Sequence, residues 1–281
     1  MGFPMSQNLL RGGFGLTVWN RSLEKAAPLA DHGADVADSP AQAVKGANFI
    51  ITMLSDGSVT GALVDAPDVQ AALSPDAIWL DMSSIKPEEA RAQAAQLATM
   101  GIAHLDAPVS GGTKGAEAAN LAIMVGGEKS VFDKAAPVFE TMGRPVHVGP
   151  SGTGQLSKLA NQVIVAVTIG AVAEAMLMLE EGGADPTSVR QALSGGFADS
   201  VILQQHGTRM SERNFVPGGL SKFQLKDLNN ALSEAEALEL SLPVTQHIRD
   251  RFDHFVHQME GADQDHSGIF LELLKRNGKL T

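Results

Sequence analysis

One lysine in this sequence stands where it could transfer a proton. Lys158 and Asn161 belong to the run Gly152-x-Gly154-x-x-x-Lys158-x-x-Asn161, at the start of a long helix-prone stretch. Residues three apart share one face of a helix, so the Asn161 amide can brace the lysine amine. Partial burial at the base of an apolar helix would lower the pKa of that amine toward values useful in acid–base catalysis. The motif predicts an acid–base pair, with an ordinary surface lysine as the alternative.

A serine followed by two glycines is the second candidate. Ser110, Gly111 and Gly112 come directly after Asp106-Ala107-Pro108-Val109, at the end of a strand-like segment. Glycines allow successive backbone N–H groups to converge on an anion such as a carboxylate. Ligands of open α/β sheets bind at the carboxyl ends of strands. We therefore expect these three residues to bind the carboxylate of a substrate, with a plain glycine turn as the alternative.

The beginning of the chain carries a weaker signal for a dinucleotide. A dinucleotide-binding fold opens with a strand, a G-x-G-x-x-G turn and a helix. Gly2 could be the last glycine of that turn, although a simple helix start would look the same. Asn20 and Arg21 follow the next strand-like segment and supply a cation and no carboxylate. A cation at this position accommodates a 2′-phosphate, which favours NADP over NAD unless Arg21 is only solvated.

The elements that must position these residues change type along the chain. Apolar strand-like segments alternate with helix-prone segments in the first half, which predicts a parallel sheet covered on both faces. The predicted strands are 16–19, 49–54, 77–81 and 102–106, and the helices between them include 22–32 and 87–100. From residue 152 onward we predict no strand, only a helix at 153–181, a helix that begins at Pro186 after the capping residue Asp185, and helices at 224–240, 243–259 and 266–275. The expected architecture is α/β: a Rossmann-type dinucleotide-binding domain (1–152) followed by an all-α domain (153–281) entered through the long helix.

Composition excludes several classes of function. The chain has 281 residues and a net charge of −11, which argues against a nucleic-acid partner because phosphate binding needs a basic face. It has no cysteine and no tyrosine, so thiolate nucleophiles, Cys-ligated metals and Tyr proton donors are excluded. His254 and His257 lack an accompanying acidic motif, and we expect no metal. We interpret the apolar stretch 163–179 as a core or subunit-interface helix, and we expect a cytoplasmic protein without a membrane partner.

Taken together, these motifs resemble one family over essentially the whole chain. The matching segments, in family order, are MGFPMSQNLL, VWNR, ITML, DMSSI, DAPVSGG, GTGQLSKLANQ, LKDLNNAL and DHSGIF. They are similar to the β-hydroxyacid dehydrogenases of the 3-hydroxyisobutyrate dehydrogenase type. The resemblance implies hydride transfer between NADP or NAD and a small 3-hydroxy or 3-oxo carboxylic acid, in a homodimer or homotetramer. Within the family, DMSSI, KLANQVIVA and the segment 213–217 favour 2-hydroxy-3-oxopropionate as the substrate, with 3-hydroxyisobutyrate as the alternative.

The resemblance also implies a role for individual residues. Lys158 would be the general acid–base group, and Asn161 would help to hold a substrate whose carboxylate is bound by Ser110, Gly111 and Gly112. The remaining positions would surround the cofactor and the reacting carbon: Ser84 near both, Met53 and Leu54 along the cofactor's edge, Gly2, Asn20 and Arg21 at its phosphates, Lys226 closing over it with Asp227 alongside, and His266 in contact with the substrate.

The sequence departs from the family pattern at its beginning. The family opens with a strand and GLGxMG, whereas this sequence starts at the final Met-Gly. We expect about ten further residues, including the first strand and two glycines, before Met1 of the natural protein. Their loss would favour a non-catalytic cofactor-binding protein on the same fold. The intact Ser110-Gly111-Gly112 and Lys158-x-x-Asn161 argue against that alternative, and Lys158 also argues against an imine reductase.

Overall fold

A computed structural model describes residues 1–280 of the chain. They divide into two compact units, the first comprising Met1–Lys158 and the second beginning at Leu159. This division lies inside a long helix, whereas the sequence analysis places the domain boundary slightly earlier, at residue 152, where that helix begins.

The strands of the first unit form two sheets. A two-stranded parallel sheet contains β1 (Thr17–Val18) and β2 (Asp35–Val36). A six-stranded sheet contains the parallel neighbours β3 (Phe49–Thr52), β4 (Ile78–Asp81) and β5 (Ala103–Asp106). Every residue of β4 is buried, as expected of a parallel strand covered on both faces. The α/β class predicted from the alternating segments is confirmed, with strands shorter than the apolar runs that predict them.

The far edge of the larger sheet is mixed, which the sequence analysis does not anticipate. β7 (Leu121–Gly126) runs antiparallel to β5 and to the short β6 (Val109–Ser110), and β8 (Gly143–Gly149) is parallel to β7. β8 reads GRPVHVG, and its glycines and proline conceal a strand from propensity arguments. Ser110 therefore lies within a short edge strand, directly before the two glycines.

Eight α-helices accompany these strands in the described part of the first unit. Two begin at a capping side chain: Ser39 accepts from Gln42 N, and Asp56 accepts from Val59 N. The predicted helix 22–32 is divided between a short α-helix and a 3₁₀ helix (Ala27–His32). The helices are α1 (Gly2–Arg11), α2 (Leu23–Ala26), α3 (Pro40–Val44), α4 (Gly57–Asp65), α5 (Pro67–Ala72), α6 (Pro87–Thr99), α7 (Gly112–Glu117) and α8 (Lys129–Glu140).

The second unit is helical, as predicted. Its one strand-like feature among residues 159–280 is an isolated bridge between Leu220 and Asp265. A 3₁₀ turn (His266–Gly268) replaces the first turn of the predicted helix 266–275. The helices are α9 (Thr153–Glu181), which starts in the first unit, α10 (Pro186–Leu193), α11 (Val201–Ser211), α12 (Ser221–Ala237), α13 (Pro243–Gln258) and α14 (Ile269–Arg276).

Helix α9 is long and apolar enough to cross a membrane by length and composition alone. The core helix of a soluble protein passes the same test. One side of α9 supplies Ala166, Ile169, Ala173 and Met176, all fully buried, to the hydrophobic core of the second unit. This side of α9 packs as a core helix does, whereas Ile164 and Met178 on the same helix are exposed.

Candidate active site

Three loops of the first unit meet at one edge of the larger sheet. β3, β4 and β5 are parallel neighbours in register, so their carboxyl ends lie side by side. Met53 and Leu54 follow β3, Ser83 and Ser84 follow β4, and the segment leading to Ser110 follows β5. This edge is where open α/β sheets bind their ligands.

Ser83 links two of these loops. Its hydroxyl accepts a hydrogen bond from Leu54 N at 2.9 Å, and its own N–H donates to Asp81 Oδ1 at 2.9 Å. Thr52 Oγ1 donates to the same carboxylate oxygen at 2.9 Å. Ser83 is fully buried, whereas Ser84 is partly exposed. Ser83 therefore holds the loops together, and Ser84 is the serine of the pair that a ligand could reach.

Gln155 attaches the first turn of α9 to the same edge. Its Nε2 donates to the carbonyl oxygen of Ser83 at 2.8 Å, and its Oε1 accepts from Ile85 N at 3.1 Å. Gln155 is fully buried, so both partners would lose a hydrogen bond that water could not replace if its amide were removed. The amide thus fixes the start of α9 against the loop that contains Ser84.

Asp106, the last residue of β5, caps the same helix from a distance. Its Oδ1 accepts from Gly152 N at 2.8 Å and its Oδ2 from Gln155 N at 2.9 Å. These N–H groups belong to the first turn of α9, where no intrahelical acceptor exists. Burial raises the pKa of the Asp106 carboxyl to about 6, against the effect of these two hydrogen bonds. Burial likewise raises the pKa of Asp81, which is paired with Asp106 on the neighbouring strand.

Gly154 allows α9 to begin this close to the sheet. A Cβ atom at this position would lie 2.3 Å from Asp106 O and 2.6 Å from Met124 O. Both are backbone atoms of strands, which cannot move aside as a flexible side chain could. The second glycine of Gly152-x-Gly154 is therefore required by packing, although its spacing also matches a ligand-binding motif.

Lys158 lies one turn after Gln155 on α9 and is partly buried. Residues three apart project from the same face of a helix. Because Gln155 contacts the Ser83 loop, Lys158 is directed toward the same sheet edge. Helix geometry thus places Lys158 on the side of α9 that faces the loop containing Ser84 and the end of β5.

The serine–glycine–glycine segment has an unusual backbone. Gly111 has φ of 138° and Gly112 has φ of 62°, both in the region that favours glycine. Ser110 pairs with Ala122 of β7, and Gly112 starts α7. Ser110 is partly exposed and both glycines are exposed. The expected role of this segment in carboxylate binding is compatible with these conformations.

The residues expected at the cofactor lie at the start of α1 and directly after β1. Helix α1 starts at Gly2 without a side-chain cap, and a Cβ on Gly2 would meet nothing within 4 Å. Such a helix start offers N–H groups and a positive dipole end to a phosphate. Asn20 and Arg21 are exposed after β1, and Asn20 Oδ1 holds the turn by accepting from Ser22 N at 2.9 Å. A neutral residue and a cation thus occupy the position where a ribose-binding carboxylate would stand.

A second group of polar residues lies within the helical unit. Asn161 Nδ2 donates to Gln162 Oε1 at 2.9 Å, and Gln162 Nε2 donates to Asp227 Oδ2 at 2.7 Å. Lys226 Nζ lies 3.3 Å from Asp227 Oδ1. Gln224 Nε2 donates to the carbonyl oxygen of Gln162 at 3.2 Å. Asn161 and Lys226, which the resemblance assigns to substrate and cofactor, are therefore connected through Gln162 and Asp227 by two hydrogen bonds and one ion pair.

His266 belongs to a cluster with His206 and Asp265. The imidazole rings are perpendicular with centroids 4.7 Å apart, and His206 Nδ1 lies 3.7 Å from Asp265 Oδ1. Burial lowers the pKa of His266 to about 4, and the neighbouring His206 lowers it further. His266 is therefore neutral at pH 7, and its predicted contact with substrate remains a prediction.

His206, Asp265 and His266 have potential metal-ligand atoms within 4.8 Å of one another. Asp265 is already engaged, however: Oδ2 accepts from Gly218 N and Gly219 N at 2.8 and 3.1 Å, and Oδ1 accepts from Ser267 N at 3.0 Å. Arg209 Nη1 lies 3.8 Å from Oδ2 and adds a positive charge. Asp265 thereby fastens the loop before α12 to the segment that contains His266.

Sequence reasoning assigned no role to several residues that organise the site. Ser83, Asp106 and Gln155 lie inside quoted motifs, yet their roles depend on partners distant in the chain. Gln162 and Gln224 were not singled out. The one available signal was that Ser83, Asp106 and Gln155 are polar residues inside those motifs.

Comparisons with known proteins identify the family of the chain. Residues 1–152 match the NAD-binding domain of 6-phosphogluconate dehydrogenase, and residues 152–273 match the NAD-binding domain of NADP-dependent 3-hydroxyisobutyrate dehydrogenase. The chain is 41% identical to the 2-hydroxy-3-oxopropionate reductase of Escherichia coli strain K12, an alignment that covers 100% of this chain and 96% of the relative.

Two solved structures extend the comparison. The 3-hydroxyisobutyrate dehydrogenase of Mycobacterium tuberculosis, solved with L-serine, has a TM-score of 0.89 and 34% identity and covers 97% of this chain and 95% of its own. Psf3, solved with NADP+ and 2-OPP, has a TM-score of 0.86 and 25% identity, covering 97% and 96%. The chain therefore belongs to the β-hydroxyacid dehydrogenase family of the 3-hydroxyisobutyrate dehydrogenase type and is an NAD(P)-dependent oxidoreductase.

Proposed function

We propose that this enzyme reduces 2-hydroxy-3-oxopropionate, with Lys158 as the general acid–base residue. The observation that carries the proposal is the fixed position of Lys158. It lies one helical turn after Gln155, which Ser83, Ile85 and Asp106 hold at the ligand-binding edge of the sheet. The choice of substrate is supported by the E. coli relative, a 2-hydroxy-3-oxopropionate reductase 41% identical over the full chain.

The chemistry assigns one task to each group. NADPH, when bound, would supply a hydride to the aldehyde carbon, which would leave negative charge on the carbonyl oxygen. The ammonium group of Lys158 donates a proton to that oxygen, and in the oxidation direction the neutral amine accepts it back. The backbone of Gly111 and Gly112, together with Ser110, binds the substrate carboxylate. This contact places the reacting carbon of the substrate relative to Lys158.

We further propose that NADP(H) is preferred over NAD(H). Arg21 supplies an exposed cation after β1, and Asn20 beside it is neutral. A carboxylate at this position would repel a 2′-phosphate and bind a ribose hydroxyl instead.

A substrate panel tests the proposal. Purified enzyme is mixed with NADPH or NADH and with 2-hydroxy-3-oxopropionate or 2-methyl-3-oxopropionate, and the loss of absorbance of the reduced cofactor is followed. We expect the highest kcat/KM for NADPH with 2-hydroxy-3-oxopropionate. Faster turnover of 2-methyl-3-oxopropionate would instead identify a 3-hydroxyisobutyrate dehydrogenase. Cofactor binding without turnover of either acid would favour a non-catalytic cofactor-binding protein.

An apolar face of α9 supports a homo-oligomer. Ile164, Ala171 and Met178 are each two helical turns apart and all are exposed, Ile164 and Met178 at 65% and 70%. We propose that this stripe packs against another subunit. Light scattering of wild type and of the variant Ile164→Glu/Met178→Glu tests it: a dimer or tetramer should lose mass, and an unchanged mass would contradict the assignment.

A further inference from the structure

The orientation of the Gln162 side-chain amide in the helical unit follows from the chemistry of its neighbour Asp227. Asp227 is 5% exposed and lies 3.3 Å from the Lys226 ammonium. A carboxylate paired with a lysine can only accept hydrogen bonds. Gln162 contacts Asp227 at 2.7 Å, so it must direct its NH₂ group toward that carboxylate.

The same constraint passes to Asn161. With its NH₂ group turned to Asp227, Gln162 directs its carbonyl oxygen Oε1 the opposite way, and this oxygen accepts from Asn161 Nδ2 at 2.9 Å. Gln224, which is 2% exposed, donates through its Nε2 to the backbone carbonyl oxygen of Gln162 at 3.2 Å and so holds the backbone of Gln162 in place. The Asn161 amide therefore faces Gln162 with its N–H, and its oxygen Oδ1 remains as the acceptor.

We propose that Gln162 and Asp227 are positioning residues that set the polarity of Asn161, so that Asn161 presents its carbonyl oxygen to a hydroxyl group of the substrate. This proposal rests on the proposed function, because it assumes that Asn161 meets the hydroxy acid. It also narrows the expectation from sequence: Asn161 recognises a hydrogen-bond donor, such as the hydroxyl of a hydroxy acid, and not the carboxylate, which offers only acceptors.

A charge-swapped pair of variants tests the polarity. In Asp227→Asn, residue 227 can donate as well as accept, so Gln162 is free to turn its NH₂ group toward Asn161, and the orientation of the Asn161 amide is no longer fixed. In the double variant Gln162→Glu/Asp227→Asn, the new asparagine donates to the new carboxylate, whose other oxygen still accepts from Asn161, and the net charge of the pair is unchanged. We expect the single variant to lower kcat/KM for the hydroxy acid about tenfold or more, and the double variant to recover to within about threefold of wild type.

Gln246 provides a matched control. On α13 its Nε2 donates to Asp250 Oδ1 at 2.9 Å, the same type of pair on an exposed surface. Gln246→Glu should leave kcat/KM, the KM for the hydroxy acid and NADPH binding unchanged. A purely structural role of the Gln162–Asp227 pair would lower thermal stability in both the single and the double variant without a recovery of KM.

A readout without substrate separates this proposal from the proposed function. The side-chain amide signals of Asn161 in a ¹⁵N-resolved NMR spectrum should move in Gln162→Met, which removes the acceptor, and return near their wild-type positions in the double variant. The proposed role of Gln162 and Asp227 would be contradicted if the Asn161 signals did not change in Gln162→Met. It would also be contradicted if the double variant were no more active than the single one. If wild type turned over no hydroxy acid, the proposed function would fail, and the NMR result would still decide the polarity.

Discussion

Asp106 and Gln155 are joined across 49 residues of sequence by a hydrogen bond from Gln155 N to Asp106 Oδ2 of 2.9 Å. One residue ends a central strand and the other lies in the first turn of the helix that carries Lys158. A carboxylate at the N-terminus of a helix satisfies N–H groups that have no partner in the helix and interacts favourably with the helix dipole. The position of the proposed acid–base group therefore depends on a residue of the sheet.

Replacing Gln155 by Met should loosen this attachment. The buried carbonyl oxygen of Ser83 and the N–H of Ile85 would lose their partner, at a cost of about 1–3 kcal/mol for each group left unpaired. We expect a lower free energy of unfolding in urea, together with a lower kcat because α9 starts less precisely. Gln258→Met, at an exposed position on α13, is the control. Wild-type stability and kcat in Gln155→Met would show that the amide does not position the helix.

Lys158→Ala should lower kcat by about 10²–10⁴-fold, the usual contribution of a general acid–base group. NADPH binding, followed by fluorescence titration, should remain close to wild type. Lys158→Arg should not restore activity, because a guanidinium does not release its proton near neutral pH. Lys134→Ala, on the exposed side of α8, is the control for removing a lysine. If Lys158→Ala kept more than about a tenth of the wild-type kcat, another group would be the acid.

Asn20→Asp should shift cofactor preference toward NAD(H). The new carboxylate would repel the 2′-phosphate of NADPH and could bind the ribose hydroxyl of NADH. The ratio of kcat/KM for NADPH to that for NADH should fall by at least about tenfold, the equivalent of 1.4 kcal/mol. Equal kcat/KM for the two cofactors in the unmodified enzyme would contradict the role assigned to Arg21.

His104 should make the enzyme sensitive to acid. Both of its ring nitrogens are buried without a hydrogen-bond partner in the described structure, and burial lowers the pKa of the ring to about 4. Between about pH 6.5 and pH 4 the unfolded chain binds a proton that the folded chain does not, so the free energy of unfolding falls as pH falls. The full effect is at most about 3 kcal/mol.

His104→Leu should remove this contribution. Urea unfolding of wild type and variant at several pH values between 4 and 7 measures the difference between the two proteins. That difference is the relevant quantity, because the raised pKa of Asp106 acts in the opposite direction over part of the same range. The variant should gain stability relative to wild type as the pH falls, and parallel curves would exclude His104 as the cause.

The types of element could be predicted from the sequence alone, because periodicity and end signals are local. Helix α9 was predicted with the bounds Thr153–Glu181, since it ends at Gly182-Gly183 and its apolar run is long. The parallel strands β3, β4 and β5 were predicted from apolar runs between helical segments. The motifs around Ser110 and Lys158 were likewise visible, because their residues are neighbours in the chain.

The contacts that hold those motifs in place were decided by the tertiary structure. Gln155 meets the Ser83 loop across 72 residues, and Asp106 meets Gly152 across 46. The antiparallel pairing of β5, β6 and β7 is also invisible in any one segment. The polarity of Asn161 follows from Asp227, more than sixty residues further along the chain. The physical reason is that a hydrogen bond depends on the distance and direction between two groups in space, whereas sequence patterns report only which groups are neighbours along one element.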